Sequence, residues 1–312
     1  MKYTFEEAKK DHQAIKLINR VFHDIDSEYY DIEHPEIVDS VRENCVTLFN
    51  GYIKDPAMRD DFTLLDVGTG TGFFIANIAH LLRPGNTVIF SDISEKMIGI
   101  VRNKFSSFGF KQQFLVTDAE KYELPEKSVD VVMVHSVLHH LPAYRSFLKE
   151  ADRLLKDGGL IIITHEPNRS FSRNPILTLF VKAYSKMNAL LLKRNRTGAS
   201  TRVDSNVYSR LVADLKSEGL EFSEPLTMNQ FNSLIDIESP TASGEYDAAK
   251  GFDAESIAKE NFPGYEVLKI RTYAALGKIN EEENAVTRIF AALFRSLFPS
   301  AGYHFELILR KK

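Results

Sequence analysis

The segment Thr63–Phe73 constrains this chain more than any other. Five strand-like residues, Thr63-Leu64-Leu65-Asp66-Val67, run straight into Gly68-Thr69-Gly70-Thr71-Gly72-Phe73, and the pattern from Thr71 to Leu82 is helical. A strand that enters a helix through a glycine-rich turn is suited to holding a ligand, because glycine removes side chains where the ligand must approach the backbone closely. The spacing discriminates between ligands. A dinucleotide fingerprint places its third glycine one position later, where this chain has Phe73. The G-x-G-x-G spacing therefore points away from NAD and toward a ligand without a pyrophosphate.

The surrounding sequence repeats the strand–helix alternation. Thr87–Ser91, Gln112–Val116, Val129–His135 and Leu160–Thr164 read as further short apolar strands, with helical patterns at Glu95–Phe105 and Ala143–Leu155. Strands that are apolar throughout, alternating with helices, predict an α/β fold with a doubly wound, parallel sheet covered on both faces. Ligands bind such sheets beyond the C-terminal strand ends. Residues 1–62 read as helices, with apolar spacing at Ile37, Val41, Cys45, Val46 and Phe49. Residues 168–262 show helical patterns and polar loops but no convincing strand pair. Tyr265–Gly277 and Tyr303–Arg310 read as closing strands around a helix at Glu282–Leu297. The expected organisation is thus an N-terminal helical segment (1–62), a core (63–167), a helical lid inserted after the fifth strand (168–262) and the closing strands (263–312).

Four features fall at strand ends beside the glycine turn. Asp92 closes the second strand, 24 residues past Gly68. A carboxylate there accepts hydrogen bonds from both hydroxyls of a ribose, or caps the next helix. Asp118, in Thr117-Asp118-Ala119 after the third strand, can accept from an adenine amino group, and the next backbone N–H can donate to the ring. The fourth strand ends near His135, followed by Ser136-Val137-Leu138-His139-His140-Leu141. Asp157-Gly158-Gly159 ends the helix before the fifth strand.

Together these residues resemble the class I, Rossmann-like, S-adenosylmethionine (SAM) dependent methyltransferases, in their broad small-molecule (type 11/25-like) branch. The resemblance covers about residues 60–167 and the closing strands. It implies a seven-stranded, mostly parallel sheet with an antiparallel last strand, for which Tyr303–Arg310 is the candidate. It implies SAM as cofactor and S-adenosylhomocysteine as product. Gly68, Thr69, Gly70 and Gly72 would line the methionine portion and Asp66 would orient its amino group through water. Asp92 would hold the ribose. Ile93 and Met97 would pack on the adenine, Asp118 and Ala119 would read its edge, and His135 or Ser136 would close the pocket.

Methyl transfer from a sulfonium is an in-line displacement, so alignment and exclusion of water are the main tasks. A general base is needed only where the nucleophile carries a proton. His139, His140, His165 and Glu166 are the candidates, and capping or packing roles fit His139 and His140 equally. His135 and His139 have the i, i+4 spacing of helical metal ligands, but His135 ends a strand, so no metal site is expected. Tyr29 and Tyr30 are candidate substrate contacts, since relatives often close the site with an aromatic N-terminal segment; packing alone explains them as well.

Composition narrows the partners. With a formal net charge of −4 there is no global basic field for nucleic acid. A single cysteine, Cys45, excludes an intrachain disulfide or a cysteine-based zinc site. Met1–Arg20 is charged from the start and no run reaches the length of a membrane span, so a cytoplasmic location is expected. Against this background, residues 168–203 carry eight bases and no acid. Three readings fit: a cap helix with solvated charges, a lid over an apolar acceptor bearing an anionic group, with Arg169 and Arg173 as its contacts, or peripheral contact with an anionic membrane. A small organic acceptor is the expected substrate. The alternatives are an RNA or protein methyltransferase and a SAM-binding module without turnover.

Overall fold

The apolar runs form strands where the alternation places them. The computed structural model describes residues 2–28, 39–54, 61–180, 182–183, 200–243, 247–276 and 285–312. The strands are β1 (Lys2–Tyr3), β2 (Thr63–Val67), β3 (Thr87–Asp92), β4 (Lys111–Val116), β5 (Val129–His135), β6 (Leu155–Pro167), β7 (Glu221–Phe222), β8 (Glu266–Tyr273) and β9 (His304–Arg310). The sequence's first to fifth strands are thus β2 to β6. With β8 and β9 they form a seven-stranded sheet in the order β4-β3-β2-β5-β6-β9-β8.

β2 pairs in parallel with β3 and β5, β3 with β4, and β5 with β6. The last strand reverses. Lys311 N–H donates to the Gly159 carbonyl and Asn168 N–H to the Tyr303 carbonyl, so numbers rise along β6 as they fall along β9. Tyr303 N–H also donates to the Ala274 carbonyl, and Lys269 Nζ lies 2.8 Å from Glu306 Oε1. β9 is therefore antiparallel to both neighbours, as the resemblance implied.

Two local expectations change. The fifth strand, expected over 160–164, starts at Leu155, directly after the helix Tyr144–Leu154. The Asp157-Gly158-Gly159 turn lies within it. The β5–β6 register shifts between Val129 and Val131, and a Cβ on Gly159 would sit 2.8 Å from the Asp130 carbonyl oxygen. The glycines thus let the strand kink and pass close to β5 rather than terminate the helix. The second change is a two-stranded parallel sheet of β1 and β7, with Lys2 opposite Glu221 and Tyr3 opposite Phe222. Two residues are too few to show an alternating pattern, so this strand within 168–262 was illegible.

The chain divides into two compact units. One comprises Ser27–Glu166, Ala254–Ile270 and Glu306–Lys312. In its core Phe90 stacks on Phe105 and on Phe114, with centroids 5.1 and 5.4 Å apart. Cys45 is buried there, and burial pushes its thiol up to about 12, so it packs as an apolar group. The other unit comprises Met1–Asp26, Pro167–Asp253 and Arg271–Phe305. Within it, Ile18, Val21 and Ile25 of the helix His12–Asp26 pack on Leu211, Leu215 and Phe231. A second cluster gathers Phe171, Leu177, Phe294 and Tyr303. No helix among the described residues is long and apolar enough to cross a membrane.

Candidate active site

The glycine turn takes its shape from the backbone. Gly68, Gly70 and Gly72 all have positive φ, at 56°, 53° and 79°, a region that side chains other than glycine's rarely enter. Their surroundings differ. A Cβ on Gly68 would meet the Val137 side chain at 2.8 Å, and one on Gly72 would meet Phe105 at 2.6 Å. A Cβ on Gly70 would meet nothing within 4 Å. Gly68 and Gly72 therefore admit neighbouring side chains, and Gly70 is the position that faces open space.

Two carboxylates flank this turn. Asp92, at the end of β3, accepts the Gly70 N–H on Oδ2 at 2.9 Å and the Ser94 N–H on Oδ1 at 2.8 Å. Helix capping, the other role open to Asp92, falls to Ser94, whose hydroxyl accepts the Met97 N–H. Asp66 is buried on β2 and accepts the Thr69 hydroxyl at 2.5 Å. Burial pushes its carboxyl up to about 7, against the Thr69 hydrogen bond and with the help of the nearby Asp92 charge. Thr117 N–H bonds the Asp92 carbonyl, and Asp118 Oδ1 accepts the Glu120 N–H, so the β4 end lies beside the β3 end. Ile93 is half-buried; Met97 and Ala119 are buried. Sequence reasoning missed Tyr122, buried with its hydroxyl 2.8 Å from Ser91 Oγ, which itself donates to the Asp66 carbonyl. Burial raises the Tyr122 phenol further above its ordinary range. A lone tyrosine in a loop carries no signal of such a contact.

The ends of β5 and β6 form a second group. His135 stacks between Phe73 and His165, with centroids 5.4 and 5.3 Å away. Its Nδ1 is buried with no hydrogen-bond partner, and burial pulls the ring down to about 4, so it is neutral at pH 7. Ser136 and His165 both adopt positive φ, 60° and 64°, and Ser136 N–H bonds the Thr164 carbonyl. Such strained residues cluster where the surroundings over-determine them.

Glu166 is fully buried and organises the loop after β5. Its Oε1 accepts the N–H groups of Val137 at 2.6 Å and Leu138 at 2.8 Å. Its Oε2 accepts the His139 N–H at 3.3 Å and lies 2.8 Å from His139 Nδ1. Burial pushes this carboxyl up, but the His139 ring and the backbone N–H groups outweigh it and hold it below the usual range. Because a carboxylate only accepts, Nδ1 carries the proton in this contact, and Nε2 is the ring nitrogen turned away from Glu166. The His140 ring lies 4.1 Å from that of His139. Of the remaining candidates, Arg169 and Arg173 belong to the other unit, where Arg169 Nε donates to the Gly251 carbonyl. Tyr29 and Tyr30 lie outside the described residues.

A cofactor fits this arrangement on its own terms. A carboxylate offers about four acceptor positions. Asp92 receives the Gly70 N–H of the turn and the Ser94 N–H of its own loop, which fixes an acceptor group beside the open face of Gly70, where the hydroxyls of a ribose could reach it.

Residues 65–163 match the family described as "Methyltransferase domain". Residues 65–163 thus carry a methyltransferase domain. The cofactor of this methyltransferase domain is S-adenosylmethionine. The chain is similar to a ubiquinone/menaquinone biosynthesis C-methyltransferase of Burkholderia cenocepacia, 28% identical over 161 residues, covering 52% of this chain and 64% of the relative. It is also similar to malonyl-[acyl-carrier protein] O-methyltransferase 2 of Ilyobacter polytropus, 26% identical over 203 residues, covering 59% and 76%. A SAM dependent methyltransferase from Aquifex aeolicus superposes with a TM-score of 0.44 at 15% identity, over 92% of this chain and 98% of that one. The chain spans 64% of the length of the first of these relatives.

Proposed function

We propose that this protein transfers a methyl group from SAM to a small organic acceptor. The observation that carries the reading is Asp92, whose carboxylate braces the one open glycine of the turn at the end of β3 and so stands where a ribose would be held. When bound, SAM supplies an electrophilic methyl group on a sulfonium. Gly68, Thr69, Gly70 and Gly72 would line its methionine portion, and Asp66 would orient the amino group. Ile93 and Met97 would hold the adenine face, Asp118 and Ala119 its edge. His135, kept neutral by burial, and Ser136 would close the pocket without adding charge beside a cation.

Glu166 holds His139 with Nδ1 protonated, so Nε2 is the atom that would take a proton from the acceptor. His139 is proposed as the base and Glu166 as its positioning residue; His140 and His165 remain proposed neighbours. A base held this way favours a catalyst over a ligand-binding module, since binding a cofactor needs no oriented imidazole. The relatives are named for quinone biosynthesis and for malonyl-[acyl-carrier protein] methylation, which supports a small acceptor. For an acceptor with an anionic group, Arg169 and Arg173 are the proposed partners on sequence grounds alone. The acid-free basic stretch 168–203 supports peripheral contact with an anionic surface. The test is calorimetry with SAM, followed by release of S-adenosylhomocysteine across an acceptor panel. Binding without release from any acceptor would favour the module.

A further inference from the structure

We propose that the helix Ala285–Leu297 and the helical turn at 175–180 form one face that docks on an anionic lipid bilayer. Ile289, Leu293 and Leu297 are 67%, 48% and 59% exposed, at i, i+4 and i+8 along one side of the helix. Ile176 and Leu179 are 59% and 70% exposed. These five are half of the ten large exposed hydrophobic side chains among the described residues. Concentrated apolar exposure marks an interaction surface.

The two elements are packed together. Phe180 packs tilted on Phe290 and edge-on against Phe294, with centroids 5.0 and 4.7 Å away, so both exposed rows border one seam. The seam's aromatic groups supply the inner face and leave the aliphatic rows outward.

Charge selects the occupant. Arg288 and Arg295 are exposed on the helix, which contains no acid, and Arg173 and Lys182 are exposed beside Ile176 and Leu179. This runs against the net acidity of the chain. Glu281, Glu282 and Glu283, the acids nearest the helix in sequence, lie outside the described residues. Aliphatic side chains flanked by bases match the acyl–headgroup boundary of an anionic leaflet. A second copy of the chain would set the same arginines against one another, which opposes association through this face. The proposal extends the peripheral contact read from residues 168–203, and it is tested without cofactor or acceptor, so its failure leaves methyl transfer untouched.

The full chain is sedimented with vesicles of phosphatidylcholine alone and of phosphatidylcholine mixed with phosphatidylglycerol. Binding is expected to the mixed vesicles, weakened by salt. The Ile289→Asp/Leu293→Asp variant should partition about tenfold or more less well, since it places charge among the buried apolar groups. Leu179→Asp, on the other row, should also weaken binding. All these sites are exposed, so circular dichroism melts should match the parent. No binding, equal binding to both vesicle types, or variants that bind like the parent would overturn the proposal. So would a concentration-dependent dimer that Leu293→Asp dissolves while vesicle binding persists.

Discussion

At the residue scale, Asp66, His135 and Asp92 make separable predictions. Asp66 titrates near 7 in the folded chain against 3.8 as its ordinary value. Its folded-state value is raised, so any stability it contributes is complete below pH 3.8 and is lost as pH rises through 7. Chemical denaturation without cofactor should show that decline, and Asp66→Asn should flatten it. The same titration predicts that SAM binds more tightly above pH 7, where Asp66 is charged; a pH-independent affinity would contradict its role beside the amino group. His135 has the opposite sign. Its folded value, about 4, lies below the ordinary 6.5, so its contribution is present above 6.5 and lost as pH falls toward 4, by about 3 kcal/mol in all. His135→Phe should remove that acid limb. Asp92→Ala is expected to abolish SAM binding measurable by calorimetry. It deletes the ribose acceptor and leaves the Gly70 and Ser94 N–H groups without their partner.

At the scale of elements, the glycine turn and the Glu166 loop respond differently to substitution. Gly70→Asn places a side chain in open space, and asparagine tolerates positive φ better than most residues. It should lose SAM affinity at least about tenfold while costing only about 1 kcal/mol of stability. Gly72→Ala meets Phe105 and Val101 inside the core, so thermal melting should drop even without cofactor. Glu166→Ala strands a buried cluster of N–H donors and should cost about 3–5 kcal/mol in denaturant unfolding. Glu166→Gln keeps much of that packing. It should shift the His139 titration, followed by nuclear magnetic resonance, because the ring loses the carboxylate on Nδ1.

At the scale of the whole molecule, the parallel sheet was legible because its strands are buried on both faces and read as uninterrupted apolar runs between helical repeats. The strand ends are where a ligand crevice is then expected, without any contact information. The order β6-β9-β8 was not derivable from pattern: it required the antiparallel placement that the family resemblance implied and that the Lys311 and Tyr303 backbone bonds establish. The composition also bears on partners at this scale. With a net charge of −4 and the basic stretch confined to one segment, RNA affinity is expected to be weak, with a shallow dependence on salt. A steep log–log slope in a filter-binding assay would revive the RNA alternative.

Local pattern determined the strands β2 to β5, the Gly68–Gly72 turn and the positions of the acids Asp66, Asp92 and Asp118 beside it, because each depends on residues adjacent in the chain. Only tertiary structure decided that Gly70 alone is open, that Ser94 caps the helix in place of Asp92, and that Glu166 spends its carboxylate on the loop 27–29 residues upstream. The reason is physical. A glycine's neighbours and a buried carboxylate's partners are set by what the folded chain brings within 3–4 Å, and no periodicity in the sequence encodes that meeting.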